Sequence, residues 1–287
     1  MTNSVPTGLD ASPAKVWLIT GASSGFGRAL AEVALARGDH VVATARRIDR
    51  LAALANDFPA TCRTLEFDVT DRAGASATVA AALAAFGRID VVVCNAGSAL
   101  LGATESLDDD ALQRNLEVNF LGPLRLIRAA LPGLRAQRAG RIIVVSAAAA
   151  IANYPGFAGY GGAKWALEGA CESLAQEVRP LGIHVTLVQP GPFRTAFIAH
   201  SLACVTDAPA DYEASCGKFL RFLRSMDTKQ PGDPVRAAEA IFALSTAERP
   251  PLRLVLGRYA HDKARRRAQA ALRELENAAG ADTDFPT

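Results

Sequence analysis

Short apolar segments alternate with longer alanine- and leucine-rich segments along most of the chain. The apolar segments are rich in Val, Ile and Leu and have the length of strands; they lie at 15–20, 40–45, 63–68, 90–94, 141–146, 183–189 and 252–256. The segments between and after them have helical spacing, at 26–37, 49–56, 72–86, 108–137, 158–179, 233–247 and 260–277. Continuously apolar strands that alternate with helices predict an α/β fold whose parallel sheet is covered on both faces.

We expect residues 14–277 to form one domain, because neither an internal repeat nor a Pro/Gly-rich linker divides them. Residues 1–13 are expected to be a loose leader, and 278–287 a frayed tail. Residues 192–231 interrupt the alternation, since they carry no strand segment and mix aromatic with polar residues. An insertion there lies where open α/β folds bind ligands. It is predicted to form part of a substrate pocket; the alternative is a helical pair that only covers the sheet.

Composition excludes several classes of protein. The 287 residues include 31 basic and 29 acidic side chains, and half of all residues are hydrophobic, which is typical of a packed globule. A near-neutral charge gives no basic surface for nucleic acid, and no apolar run reaches the ~18–20 residues of a membrane span. The five scattered cysteines have no metal-ligand spacing. They indicate free thiols in a reducing compartment, so we predict a cytoplasmic protein without a metal site.

A glycine-rich turn joins the first strand to the first helix. Glycine allows a tight turn and lets the backbone approach a pyrophosphate, while the helix N-terminus offers free N–H groups to that anion. The strand before the turn and the helix after it strengthen an otherwise weak motif. The predicted dinucleotide contacts are Gly21, Ser23, Ser24, Gly25, Phe26 and Gly27.

The end of the second strand indicates which dinucleotide binds. NAD sites place Asp or Glu there to bind the ribose hydroxyls, whereas this chain has Arg46 and Arg47. Because a guanidinium matches a phosphate with several donors at once, we predict NADP(H), with Arg46 as the contact and Arg28 as a second candidate. The alternative is that these arginines are solvated surface charges.

Tyr160 and Lys164 stand four residues apart near the start of the segment 158–179, so they share a helix face. A phenol has an ordinary pKa of about 10, and a neighbouring ammonium lowers the pKa by favouring phenolate. The pair is therefore predicted to transfer a proton to or from an alcohol oxygen.

Together these motifs resemble the short-chain dehydrogenase/reductase superfamily, in its subgroup with a TGxxxGxG turn and a YxxxK centre. The resemblance covers about residues 15–260, and its motifs appear in order: the turn at 20–27, Asp68-Val69-Thr70, Asn95-Ala96-Gly97, Asn119, Tyr160 with Lys164, and Pro190-Gly191 with Thr195. Several matches in the right order are far more specific than any one of them.

The resemblance implies a Rossmann-type, doubly wound, seven-stranded parallel sheet and hydride transfer with a nicotinamide. It also implies that Asn119 holds a water linking Lys164 to solvent, and that Lys164 binds the nicotinamide ribose. Relatives often pair through the helices matching 108–137 and 158–179, so a homodimer or homotetramer is expected. Further implied cofactor contacts are Asp68 and Val69 at the adenine, Asn95, Ala96 and Gly97, which stabilise the central strands beside the cofactor, Pro190 and Gly191, and Thr195 in the turn after them, which contacts the carboxamide.

One position departs from the family. Its catalytic serine usually lies 13 residues before the tyrosine, where this chain has Ala147; Ser146 lies one residue earlier. Because side chains alternate along a strand, that offset points Ser146 the wrong way. Three interpretations stay open: a bulge rotates Ser146 into place, Tyr160 works without the serine with help from Asn153, Tyr154 or a substrate group, or ordinary redox chemistry is lost.

The sequence therefore predicts an NADP(H)-dependent oxidoreductase that interconverts a secondary alcohol and a ketone or aldehyde. The insertion and the segment 164–169 look like members that handle lipophilic alcohols and ketones. The small-molecule substrate is predicted to contact Ala147, Asn153, Tyr154, Phe193 and Phe197, with Phe219 and Phe222 as further pocket walls. The alternative is a cofactor-binding protein of the same fold without redox turnover, either an isomerase or cyclase, or a sensor.

Overall fold

The computed structural model describes residues 13–205 and 207–278. Its strands are β1 (Val16–Thr20), β2 (His40–Ala45), β3 (Cys62–Glu66), β4 (Val91–Cys94), β5 (Ala99–Leu101), β6 (Gly140–Val145), β7 (Ile183–Pro190), β8 (Leu202–Cys204) and β9 (Arg253–Leu256). Seven of them form one parallel sheet in the order β3-β2-β1-β4-β6-β7-β9. The sequence predicted all seven. The predicted leader, apart from residue 13, and the predicted tail beyond 278 lie outside the described residues.

Helices follow most of the strands. They are α1 (Gly25–Ala36), α2 (Ala52–Asp57), α3 (Gly74–Phe86), α4 (Asp109–Leu116), α5 (Gly122–Gln137), α6 (Ala158–Val178), α7 (Phe197–His200), α8 (Lys218–Ser225), α9 (Pro234–Ala243) and α10 (Arg258–Ala278). None of the helices in the described residues is long and apolar enough to cross a membrane. That residues 14–277 form one domain stays a prediction.

Two apolar layers hold the helices against the sheet. Trp17 and Ile19 of β1 pack on one face with α1, α2 and α9, and Leu18 of the same strand packs on the other face with α3, α5 and α6. Each face is buried because successive strand side chains point to opposite sides and both sets are apolar. This arrangement confirms the predicted doubly wound α/β fold.

A second, two-stranded parallel sheet was not predicted. It joins β5, which follows the end of β4, to β8 inside the insertion 192–231. The Ala99 N–H donates to Ser201 O at 2.7 Å, and the Val205 N–H donates to Leu101 O at 2.8 Å. The expectation that the insertion carries no strand is therefore wrong. Strands of three residues form through tertiary pairing and leave no readable period in the sequence.

The segment predicted as one helix at 108–137 is interrupted by a π-helical turn at Glu117–Leu121. Pro123 lies just beyond it, in the first turn of α5. A proline has no N–H to donate to the carbonyl four residues earlier, here that of Asn119. Wide turns of this kind occur frequently at functional sites, and this one carries a predicted site residue.

The order of the main sheet reverses at β1, which lies between β2 and β4. In open parallel sheets this reversal leaves a crevice at the carboxyl ends of the strands. The glycine-rich turn follows β1 and Asn95 follows β4, so both stand at that crevice.

Candidate active site

A cavity of about 460 Å³, the cleft, opens at the carboxyl ends of β1, β4, β6 and β7. Its volume lies in the range of small-molecule sites, roughly 300–1,000 Å³. The residues predicted from the sequence to serve catalysis, cofactor binding or substrate binding line this cleft, with four exceptions: Gly27, Arg28, Asn119 and Asn153. The sheet edge thus brings together residues from distant parts of the chain.

The turn after β1 is shaped by glycine at two positions. Gly21 and Gly25 have φ angles of +66° and +56°, which side chains with a Cβ rarely adopt. A Cβ on Gly21 would lie 2.9 Å from the Ala96 Cα. Gly27 does not reach the cleft, because it packs against the Asn95 amide and the Gly21 carbonyl. It serves close helix–strand packing rather than the predicted cofactor contact.

The N-terminus of α1 leaves its first N–H groups free. Ser24, the residue before the helix, is extended, and its side chain caps none of these groups. Ser23, Ser24, Gly25 and Phe26 all line the cleft. Uncapped N–H groups with the positive end of a helix dipole form an anion site, so this turn fits a pyrophosphate.

Thr20 and Asn95 lock the turn to the neighbouring strand. The Thr20 hydroxyl accepts the N–H groups of Asn95 and Ala96 at 3.0 and 3.1 Å. The Asn95 side-chain amide donates to the carbonyls of Thr20 and Gly21 at 2.8 and 3.1 Å. These bonds hold the carboxyl ends of β1 and β4 in one geometry, which preorganises the floor of the cleft.

Arg46 follows the last residue of β2, is exposed and lines the cleft. It forms no ion pair with a described residue, whereas Arg28 is paired with Glu32 one helical turn later, at 2.6 Å. Arg28 also stands outside the cleft, so the structure does not support it as a second cation at this site. Arg47 is exposed and does not line the cleft either.

Asp68 holds a fixed orientation just after β3. One of its carboxylate oxygens accepts both the N–H and the hydroxyl of Thr70, at 2.9 and 2.8 Å. Asp68 and the buried Val69 both line the cleft. The second carboxylate oxygen forms no hydrogen bond with a described residue, so it is available to a ligand.

Asn119 is fully buried in the π-helical turn and stands behind the cleft. Its amide nitrogen donates to Ser98 O at 2.7 Å and to Asn115 O at 3.0 Å, while its Oδ1 has no partner among the described residues. A Cβ on Gly97 would lie 3.1 Å from that oxygen and 3.7 Å from the Lys164 Nζ. Gly97 therefore leaves a small polar space between the amide and the ammonium.

Lys164 projects from α6 into the interior, where it is 3% exposed. Its Nζ donates to the Val145 carbonyl at the end of β6, at 2.9 Å. Burial lowers the pKa of Lys164 to about 8, because a desolvated ammonium is disfavoured. This lysine can therefore exchange a proton near neutral pH.

Tyr160 lies one helical turn before Lys164 and is also buried. The Lys164 Nζ stands 5.9 Å from the centre of the Tyr160 ring. Burial raises the pKa of Tyr160 above its ordinary value, so the expected lowering of this pKa is wrong for this structure. Desolvation of the phenolate outweighs the attraction of an ammonium at this distance.

Ser146 and Ala147 occupy different environments at the end of β6. Ala147 belongs to the same apolar cluster as Tyr160. The Ser146 N–H continues the pairing with β7 by donating to Val188 O at 2.8 Å, and its hydroxyl is buried with no partner among residues 13–205 and 207–278. The bulge that would turn Ser146 toward Tyr160 is not seen in this part of the described chain.

The loop after β7 closes one side of the cleft with Pro190, Gly191 and Thr195. The Gly191 N–H donates to Leu256 O at 3.0 Å, and a Cβ on Gly25 would lie 3.4 Å from the Thr195 Cβ. The loop therefore reaches across the cleft to the glycine-rich turn.

Aromatic side chains form the other side of the cleft. Phe197 stands 5.8 Å from Tyr160, and Tyr154 stacks on Phe219 at 5.0 Å, measured between ring centres. Phe157 contacts both Tyr154 and Tyr160 at 5.2 and 6.1 Å. This aromatic wall suits an apolar ligand.

Two predicted substrate contacts lie elsewhere than expected. Asn153 is exposed and outside the cleft lining; its amide oxygen accepts the Tyr154 N–H at 3.0 Å and its nitrogen donates to Phe157 O at 3.3 Å. It shapes its own loop, so it is not placed to replace the missing serine. Phe193 lines the cleft but packs edge-on against Phe26 at 5.1 Å, on the side of the glycine-rich turn.

Sequence reasoning missed Gln230, Phe157 and Tyr259, which also line the cleft. Gln230 is 1% exposed, and neither atom of its amide has a partner among the described residues. Tyr259 begins a second Tyr-x-x-x-Lys spacing with Lys263, a signal that could have marked it. No cluster of His, Cys, Asp or Glu able to hold a metal ion occurs in the described ranges.

Comparison with known proteins shows which family the chain belongs to. The family model described as short chain dehydrogenase matches residues 15–203. The chain is 38% identical to oxidoreductase BOA17 of Botryotinia fuckeliana over 244 residues, 85% of this chain and 89% of that protein. It is 35% identical to human 17-beta-hydroxysteroid dehydrogenase type 1 over 254 residues, 83% of this chain and 76% of that protein.

A solved structure shares the fold closely. The crystal structure of a short-chain dehydrogenase from Streptomyces avermitilis superposes with a TM-score of 0.87 at 41% identity, covering 93% of this chain and 96% of that one. The chain therefore belongs to the short-chain dehydrogenase/reductase superfamily, and it is an oxidoreductase of that family.

Proposed function

We propose that this oxidoreductase uses NADP(H) to interconvert a lipophilic secondary alcohol and the corresponding ketone or aldehyde. One observation carries the proposal: a single cleft joins an anion-binding turn and the unpaired Arg46 to the buried Tyr160 and Lys164. The end with the turn and Arg46 suits the cofactor, and the end with Tyr160 and Lys164 suits proton transfer. The aromatic wall beside Tyr160 suits the substrate.

The cofactor half of the cleft is suited to a dinucleotide phosphate. The free N–H groups at the start of α1 would bind the pyrophosphate. Arg46 would bind the 2′-phosphate, since the end of β2 carries this arginine where NAD sites carry Asp or Glu. Asp68 and Val69 would contact the adenine, while the residues after β4 and β7 would border the nicotinamide. A nicotinamide dinucleotide supplies the hydride chemistry when it is bound.

Tyr160 is the proposed proton donor and acceptor. Because burial raises its pKa, the phenol stays protonated at neutral pH and can give its Oη proton to a carbonyl oxygen. Lys164, whose pKa is about 8, and the unpartnered Asn119 Oδ1 stand where they can return a proton to the phenol through the polar space beside Gly97.

Ala147 distinguishes this site from its relatives. A methyl group stands at the position where the family usually has a hydroxyl that helps to hold the reacting oxygen. Asn153 lies outside the cleft lining, and Ser146 lines the cleft but keeps its regular pairing with β7, so we assign the role to neither. Losing one such donor costs roughly 10²–10³ in turnover. We infer that Tyr160 carries the oxygen chemistry with a reduced rate.

The substrate half favours an apolar skeleton. Phe157, Phe197 and Phe219 surround the approach to Tyr160, and burying one large side chain or a similar apolar group gains roughly 1.5–3 kcal/mol. The relative named 17-beta-hydroxysteroid dehydrogenase type 1 takes its name from a lipophilic alcohol, which is consistent with this preference.

A cytoplasmic homodimer or homotetramer is part of the proposal. The five cysteines are free thiols, as expected in a reducing compartment. Leu116 of α4 and Trp165 of α6 are 38% and 45% exposed, and they stand on the helices that the resemblance assigns to subunit pairing. Sedimentation of the purified chain checks the assembly.

Nicotinamide absorbance during a panel of apolar ketones, aldehydes and secondary alcohols tests the function. We expect substrate-dependent consumption of NADPH or formation from NADP, with much lower efficiency for NADH or NAD. Tight NADPH binding without consumption across the panel would contradict the redox proposal. It would favour the second candidate, an isomerase, cyclase or sensor of the same fold, for which Ala147 is the supporting observation.

A further inference from the structure

A second tyrosine–lysine pair lies at the cleft, outside the proposed proton-transfer machinery. Tyr259 and Lys263 stand four residues apart at the start of α10, the same spacing as Tyr160 and Lys164. Tyr259 lines the cleft, and Lys263 is 8% exposed. Residues at this spacing share a helix face; Tyr259 lines the cleft, while Lys263 lies outside its lining and contacts it through Tyr154.

Tyr154 joins this pair from another part of the fold. Its hydroxyl lies 2.9 Å from the Tyr259 hydroxyl, and the Lys263 Nζ lies 3.1 Å from the centre of the Tyr154 ring. The ring of Phe157 separates Tyr154 from Tyr160. The three side chains therefore form a compact group one aromatic ring away from the reacting end of the cleft.

The charge of Lys263 is not balanced within the described residues. No carboxylate there lies within ion-pair distance of it, and the neighbouring acid, Asp262, is paired with Arg265 at 2.8 Å. Burial and the nearby Arg266 lower the pKa of Lys263 to about 8, so most of it is cationic at pH 7. A largely buried cation without a counter-charge is costly, and a bound anion would remove that cost.

The cleft is also free of acids on this side. Among its described lining residues the one carboxylate is Asp68, which lies in the cofactor half and is bonded to Thr70. One hydrogen bond joins the hydroxyls of Tyr154 and Tyr259 and uses one of their two hydroxyl hydrogens. The other hydroxyl hydrogen is free to donate to a ligand. A donor backed by an unbalanced cation, with no opposing carboxylate, fits a negatively charged acceptor.

We propose that Tyr154, Tyr259 and Lys263 form a distal subsite for a substrate carboxylate. The substrates would then be oxo acids and the corresponding hydroxy acids, in which an apolar spacer along Phe157 separates the acid from the reacting carbon. This proposal rests on the proposed function for the identity of the reaction, and on the geometry of these three residues for the carboxylate.

Binding of decanoate, a non-reacting carboxylate, tests the subsite without turnover. Calorimetry on the full chain with NADPH is expected to show binding that Lys263→Met weakens about tenfold or more and that Tyr259→Phe weakens less. Arg273→Gln, which removes an exposed cation of the same helix that forms no ion pair with a described residue, is the matched control and should change nothing. 1-Decanol, which lacks the charge, should bind more weakly to the wild type. Equal affinity for decanoate and 1-decanol, or equal losses in Lys263→Met and Arg273→Gln, would overturn the subsite.

Kinetics with 9-oxodecanoate and its methyl ester separate this proposal from the proposed function. We expect a lower KM for the acid than for the ester, and Lys263→Met should reduce that preference about tenfold. Turnover of both compounds with equal KM overturns the subsite and leaves the redox proposal standing. Lys263-dependent decanoate binding without turnover of either compound supports the subsite and contradicts the redox proposal. If Lys263→Met does not fold, the same criteria apply to Tyr259→Phe, where loss of acid preference supports the subsite and its retention overturns it.

Discussion

Ala147 and Tyr160 belong to one apolar cluster beside the cleft, while the Ser146 hydroxyl is buried and has no partner in the described part of the chain. The position that normally supplies a second hydroxyl in this family therefore presents a methyl group on the side of the phenol. Under the proposed function this relationship affects how the reacting oxygen is held, and it leads to the first prediction.

Ala147→Ser is expected to raise kcat by about 10- to 100-fold, because it adds a hydrogen-bond donor where negative charge develops on the substrate oxygen. Steady-state turnover of a ketone with NADPH measures the effect. Ser146→Ala is the matched control and should leave kcat unchanged, since the Ser146 hydroxyl makes no hydrogen bond with a described residue. A large loss in Ser146→Ala with no gain in Ala147→Ser would show that Ser146 performs this role.

Arg46→Asp is expected to reverse the cofactor preference. The substitution removes a charge-assisted bond of roughly 1.5–3 kcal/mol to the 2′-phosphate and supplies the carboxylate that binds ribose hydroxyls in NAD sites. The ratio of kcat/KM for NADPH to that for NADH should fall by at least about tenfold. Arg47→Asp is the control, because it makes the same change of charge outside the cleft. Its ratio of kcat/KM for NADPH to that for NADH should stay near the wild-type ratio. Equal ratios in the wild type and Arg46→Asp would refute the phosphate contact.

Lys164→Met is expected to stabilise the fold at pH 7 while it reduces activity. The pKa of Lys164 falls from an ordinary 10.5 to about 8 in the folded protein, and each pKa unit corresponds to about 1.36 kcal/mol. Removing the amine removes the free-energy cost of burying an ammonium, but it also leaves the Val145 carbonyl without its hydrogen-bond donor. The free energy of unfolding in urea should therefore rise by about 1–3 kcal/mol.

The gain in unfolding free energy from Lys164→Met should depend on pH in a defined direction. Between about pH 8 and 10.5 the unfolded chain retains the Lys164 proton that the folded chain has released, so the contribution of this group to wild-type stability rises with pH. Below pH 8 both states are protonated, and the full cost applies. The stability difference between the variant and the wild type should shrink across this window. A difference that stays constant or grows would contradict the lowered pKa.

Much of the fold could be predicted from the sequence, because the strands of a covered parallel sheet are continuous apolar runs. Val91, Val92 and Val93 of β4, for example, are all fully buried, so their hydrophobicity alone marked the strand. The π-helical turn and the small sheet of β5 and β8 could not be predicted. Both depend on local backbone and tertiary pairing rather than on periodicity.

The candidate site was predicted in part, for physical reasons that differ between residues. Motif spacing located Arg46 and Tyr160, since a cleft at the carboxyl ends of the strands gathers such positions. Spacing carries no information on desolvation, so the direction of the Tyr160 pKa was wrong. It also does not reveal partners such as the Glu32 carboxylate that pairs with Arg28 or the loop carbonyl that accepts from Asn153.

The rate of NADPH oxidation with an apolar ketone, compared between the wild type and Tyr160→Phe, tests the central claim most directly. We predict that the wild type oxidises NADPH and that the phenylalanine variant, which keeps the ring but loses the proton, turns over at least about 10²-fold more slowly. Its NADPH dissociation constant, measured by calorimetry, should stay close to that of the wild type. Full turnover in Tyr160→Phe would contradict the role of the phenol in the reaction.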